Sequence, residues 1–84
     1  MNLTWLQFSF VPYAKRMGLA ILKDDIKFIE RTLPNFPEAR QKVIMKQYIE
    51  VWMSKATQGE GRRAANTFLR ELSDMQAHNN LRVL

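Results

Sequence analysis

"QGEGRRAANTFLREL", residues 58–72, is the stretch on which the reading of the fold turns. Two glycines bracket Glu60, and Arg62 and Arg63 then open a segment with helical periodicity. Ala64, Ala65, Phe68, Leu69, Leu72 and Met75 lie within about 140° of one another at 100° per residue. Arg63, Asn66, Thr67, Arg70 and Asp74 fill the other side, so the pattern predicts an amphipathic helix over 61–78. Asn79 or Asn80 suits the left-handed position that ends such a helix. The arginines sit at the wrong end for the helix dipole, at a cost of roughly a few tenths of a kcal/mol each. Glu60 offsets part of that cost, and a phosphate or an acidic patch on a partner would offset the rest.

Upstream, punctuation falls at Pro12, at "PNFP" (34–37) and at "TQGEG" (57–61). A segment predicted helical over 37–56 opens with Pro37 and Glu38, a good start signal. Ile44, Met45, Tyr48, Ile49, Val51, Trp52 and Ala56 span an arc of about 160°. That face is wide enough to meet both other helices, or one of them and a second chain. Before it, Leu22, Ile26, Ile29 and Leu33 follow the i, i+4, i+7, i+11 spacing, with Ala14, Met17 and Ile21 continuing an apolar face. One bent helix over 13–33 is expected. Gly18 and "KDD" (23–25) keep open a division into two shorter helices with Asp24 as a cap. In the head, Leu6, Phe8 and Phe10 alternate with Gln7 and Ser9, which predicts a short extended segment. The tail "LRVL" (81–84) reads as a frayed end or a small docking strand. The expected architecture is all-α, three main helices in one domain, residues 1–84, with an aromatic N-terminal extension.

The chain has 84 residues, and a monomer of that size buries only about 60–65% of its unfolded surface. Association with a partner, or into a homodimer, would help. Hydrophobic residues at 46% and charged residues at 25% fit a folded globular chain. With no cysteine, disulfides, thiolate metal sites and a cysteine nucleophile are excluded. The head lacks the basic start and small-residue cleavage site of a signal peptide, and "LAIL" is far too short to span a bilayer. A cytoplasmic protein that does not enter the membrane is expected.

No catalytic, cofactor or metal residue is assigned. His78 is the single histidine and reads as a solvated residue at a helix end. Asp24 and Asp25 are adjacent and point differently on a helix. G-x-S-x-G is absent, and G-E-G followed by two arginines lacks the glycines and Lys-Ser or Lys-Thr of a phosphate loop. An enzyme is not expected. The net charge of +5 favours nucleic acid or an acidic protein surface. Residues 37–78 loosely match a helix–turn–helix, with Arg62, Arg63, Asn66 and Arg70 as the set reading bases, phosphates or an acidic partner. Against this, the turn is long and glycine-rich and the first helix is long. A solvated arginine face is the plainer reading.

"EGRRAANTFLREL" (60–72) resembles a segment of small helical accessory proteins of enterobacterial prophages and phage-inducible islands. The resemblance covers those residues and carries no functional residue across. It implies a mobile-element setting, in which members include regulators and adaptors. Among the adaptors are phage-satellite proteins that bind the small terminase subunit and redirect DNA packaging. The reading adopted is a non-enzymatic adaptor of that kind, acting on a packaging or replication component. Trp5, Phe8 and Trp52 are its anchors, since interface energy concentrates in aromatic and arginine side chains. The alternative is a DNA-binding regulator of helix–turn–helix type.

Overall fold

The computed structural model describes residues 3–83, with side chains described as far as His78. Every element among them is helical, as expected, but the helices are divided differently. A π-helical stretch, Leu6–Phe10, runs directly into α1 (Val11–Arg16). α2 is Lys23–Thr32, followed by a 3-10 turn, Leu33–Asn35. α3 is Glu38–Met53 and α4 is Gln58–Val83.

The expected extended head is therefore a correction. Leu6, Phe10 and Ala14 are buried at i, i+4, i+8, with Val11 beside them, whereas Phe8 is 77% exposed. The apparent alternation of Leu6, Phe8 and Phe10 hid a helical stripe carried by the first and third. The wider π turn lies just before Pro12, whose ring has no N–H to donate and crowds the carbonyl four residues back.

One bent helix over 13–33 is also corrected: α1 and α2 are separate. Gly18 takes φ +90°. The Leu19 N–H donates to the Ala14 carbonyl (3.0 Å) and the Gly18 N–H to that of Lys15 (3.0 Å), the two bonds of a Schellman stop. Asp24 is not the cap of α2. Asp25 reaches back instead, its Oδ2 accepting from the Leu22 N–H at 2.9 Å.

Between α2 and α3, the buried Gln41 side chain turns back to the linker. Its Nε2 donates to the carbonyls of Leu33 (3.2 Å) and Phe36 (3.1 Å). α3 and α4 form the largest interhelix interface. Residues 54–57 join them, and so short a connection makes antiparallel neighbours. The pairings Trp52 with Gly61 and Tyr48 with Asn66 keep one antiparallel register. The core is a single cluster in which Ile29, Leu33, Ile44, Tyr48, Trp52 and Leu69 are fully enclosed.

α4 starts earlier and runs further than expected. Thr57 Oγ1 accepts from the Glu60 N–H (3.2 Å) and the Gly61 N–H donates to the Thr57 carbonyl (2.9 Å). "TQGE" (57–60) is thus the T-x-x-E start signal of the helix and not a turn. Asn79 and Asn80 do not end it, and the backbone of residues 81–83 is helical and not a strand. Met1, Asn2 and Leu84 lie outside the described residues, as do the side chains beyond His78.

Candidate functional site

α4 begins at Gln58, so Arg62 lies one turn inside it and the dipole penalty, confined to the first turn, falls away. Its side chain, about one-third exposed, turns inward to the buried Asp25. Arg62 Nε donates to Asp25 Oδ2 (3.1 Å) and Nη2 to the Ala20 carbonyl (3.1 Å). The guanidinium also lies over the Trp52 ring, 5.9 Å from its centroid. Asn66 Nδ2 donates to Asp25 Oδ1 (3.0 Å), and Asn66 Oδ1 accepts from the Tyr48 hydroxyl (2.6 Å). Gln58 closes the set. Its Oε1 accepts from the Ala20 N–H (3.0 Å) and Trp52 Nε1 (2.8 Å), and its Nε2 donates to the Gly18 carbonyl (3.1 Å).

These bonds tie the first turns of α4 to the α1–α2 link and to the start of α2. Burial, reinforced by the Asp25 carboxylate and opposed by Arg62, holds the Tyr48 hydroxyl well above the ordinary tyrosine range. The cluster is a structural lock. Among the described residues, every buried side-chain nitrogen or oxygen has a hydrogen-bond partner. No group of three or more histidine, aspartate or glutamate side chains converges as a metal site there.

Of the four residues expected to meet phosphate, bases or an acidic partner, the structure brings Arg62 and Asn66 together, but inside this lock. Arg63 and Arg70 are exposed on α4, and Arg70 Nη2 lies 3.5 Å from Thr67 Oγ1. The expected anchors separate as well. Trp52 is 2% exposed and belongs to the core, because the glycine at 61 lets α4 close directly over its indole. Phe8 stands in solvent and Trp5 is half-buried.

Trp5 leads to the surface feature that sequence reasoning missed. An open hollow of about 360 Å³ lies between the N-terminal helix and α3. Trp5, Phe10 and Tyr13 wall one side, Met45 and Ile49 form the floor, and Arg16, Lys42 and Lys46 stand at the rim. Lys42 Nζ sits 5.7 Å from the centroid of the Trp5 ring. A second hollow shares Tyr13, Lys46 and Ile49 and extends past Met17 to Met53. Together they form one groove along α3. Tyr13 (40%), Met17 (40%) and Met53 (49%) are large apolar side chains exposed there. The sequence held a signal for it: Tyr13 and Met17 lie one turn apart, on α1 and at its C-cap, while Lys42, Lys46, Ile49 and Met53 share one edge of α3. Read as core and solvated face, the two patterns did not reveal that a groove separates them.

Chemically the groove can hold apolar side chains among cations. Among the described residues no helix is long and apolar enough to cross a membrane. Comparison with known family models, curated proteins and solved structures finds no match for this chain.

Proposed function

We propose that this chain is a non-enzymatic adaptor that docks a partner protein in the groove between the N-terminal helix and α3. The observation that carries the reading is the run of exposed Tyr13, Met17 and Met53 along an open groove whose floor, Met45 and Ile49, belongs to the buried core. Small domains rarely leave contiguous apolar surface uncovered without using it. The basic charge and the resemblance of residues 60–72 favour a cytoplasmic, DNA-handling partner, with a phage packaging component as the concrete candidate. Trp5 and Tyr13 take the anchor role in place of Trp52.

The short 54–57 connection removes the objection that the turn is too long for a helix–turn–helix. Two other features weigh against direct DNA reading by α4. Arg62 and Asn66 are committed to Asp25, and α3 lies antiparallel along α4, where a helix–turn–helix needs its helices steeply crossed.

The test is site-specific photo-crosslinking in the cells that make the protein, with the crosslinker at Tyr13 and, separately, at Arg63. The adaptor reading expects a discrete protein adduct through Tyr13 that disappears when Met53, half-exposed in the groove, is replaced by glutamate in a still-folded chain. Nucleic-acid adducts through Arg63, with none through Tyr13, would replace it with the regulator.

A further inference from the structure

We infer that the occupant of the groove is an acidic amphipathic helix of the partner protein, about three turns long. This inference rests on the docking reading above and adds the chemistry of the ligand.

Length comes first. The groove follows α3 from Lys42 to Met53. At 1.5 Å per residue that is about 17 Å, the length of a helix of about 11 residues. A helix lying along it would present apolar anchors at i, i+4 and i+7 to Tyr13, Met17 and Met53, exposed along the groove.

Charge comes second. Arg16 from α1 and Lys42 and Lys46 from α3 stand around the first hollow, and no carboxylate lines it. Glu50 borders the groove only at the Met53 end, and Glu38 lies on the far side of Trp5. An occupant whose flanks carry aspartate or glutamate meets three cations, while one with basic flanks is repelled. Like charge disfavours a second copy of this chain. Each copy carries a net +5, and groove-to-groove pairing would bring both sets of rim cations together.

The apolar floor separates a peptide from nucleic acid. Single strands are held by aromatic faces presented for stacking. Here one face of Trp5 is already covered by Lys42, and Met45 and Ile49 are aliphatic and recessed. They suit leucine, isoleucine or methionine side chains.

The experiment pans a displayed library of random 16-residue peptides on the intact chain. Enriched peptides are expected to carry a net charge of about −3, with apolar residues at i, i+4 and i+7. Their affinity should fall at least about tenfold on the Lys42→Glu/Lys46→Glu double variant, by loss of charge pairing. Both lysines are exposed, so circular dichroism should show that variant folded. Charge-swapped peptides bearing lysine should bind the variant better than the parent.

Enrichment of basic or neutral peptides, no enrichment, or binding that ignores the double variant would overturn the inference. So would a 12-nucleotide single-stranded DNA that displaces the peptides at lower concentration than they displace one another. A protein adduct through Tyr13 alongside any of these results would leave the docking reading standing and remove only the acidic helix. Absence of both would remove the two together.

Discussion

Gly59 and Gly61 lie two residues apart in the first turn of α4, and their surroundings make opposite demands. A Cβ on Gly59 would meet nothing within 4 Å. A Cβ on Gly61 would fall 2.5 Å from Trp52 Cδ1 and 2.6 Å from the Trp52 carbonyl oxygen. The indole edge and the α3 backbone are both fixed by packing and cannot step aside. Gly59→Ala should therefore stabilise the protein by about 0.5 kcal/mol, through lower chain entropy in the unfolded state. Gly61→Ala should destabilise it by about 1–3 kcal/mol, the cost of overpacking. Urea titrations with unchanged slope and midpoints displaced in opposite directions would bear this out; equal displacement would refute it.

Tyr48 belongs to the same scale. Its hydroxyl is buried, bonded to Asn66, and titrates above its ordinary value near 10. The unfolded chain loses this proton first as pH rises. The stability from burying the neutral phenol is complete below about pH 10 and declines above it, by up to about 1.4 kcal/mol per pH unit. Tyr48→Phe should lower stability near neutral pH, because Asn66 loses a partner, and should flatten the alkaline decline. An unchanged alkaline slope in the variant would contradict the assignment.

Among the elements, the break between α1 and α2 sets the geometry of the molecule. It is held by Gly18 in its left-handed conformation and by Gln58 and Arg62 reaching across from α4. Gln58→Ala removes three hydrogen bonds at once, including that to the buried indole N–H of Trp52. A loss of about 2–3 kcal/mol is expected, since a buried donor without a partner bears its full desolvation cost. Hydrogen exchange should accelerate at the Ala20 amide more than at amides in the middle of α3. Gly18→Ala should cost about 1–2 kcal/mol, because a Cβ disfavours positive φ. These elements also place the groove: α1 stops at Arg16 and the chain turns away, leaving the upper edge of α3 from Lys46 to Met53 uncovered.

For the whole molecule, the distribution of charge decides what the surface can bind. Among the described side chains, the exposed arginines of α4, Arg63 and Arg70, lie on a different helix from the groove rim of Arg16, Lys42 and Lys46. If the chain is an adaptor, it is expected to bind free duplex DNA weakly and without sequence preference, as a cationic surface. Its log affinity should fall with log salt, and Arg63→Ala/Arg70→Ala should lower that slope by about 0.9 for each phosphate no longer neutralised. Fluorescence anisotropy at several salt concentrations measures it. Tight binding to one sequence at physiological salt, abolished in the double variant, would favour the regulator over the adaptor. Arg62 is excluded from this test because its removal unpairs the buried Asp25.

Local patterns in the chain are enough for the all-helical class, the inward face of α3 through Ile44, Met45, Tyr48, Ile49 and Trp52, and the punctuation at 34–37. These follow from 3.6-residue periodicity and from proline, which act locally. Tertiary structure alone decided the rest. Whether Leu6, Phe8 and Phe10 form a strand or a helix depended on whether Phe8 or Ala14 joins Leu6 and Phe10 in the core, a long-range choice that alternation cannot express. Whether Arg62 and Asn66 face solvent or Asp25 depended on a carboxylate some forty residues away in the chain. Trp52 reads as an anchor in one dimension and is buried in three, because Gly61 admits the α4 backbone against it. The groove is the clearest case: Tyr13 and Met17 lie on α1 and at its end, Lys46 and Ile49 on α3, and only the packing of those helices brings them to a common edge.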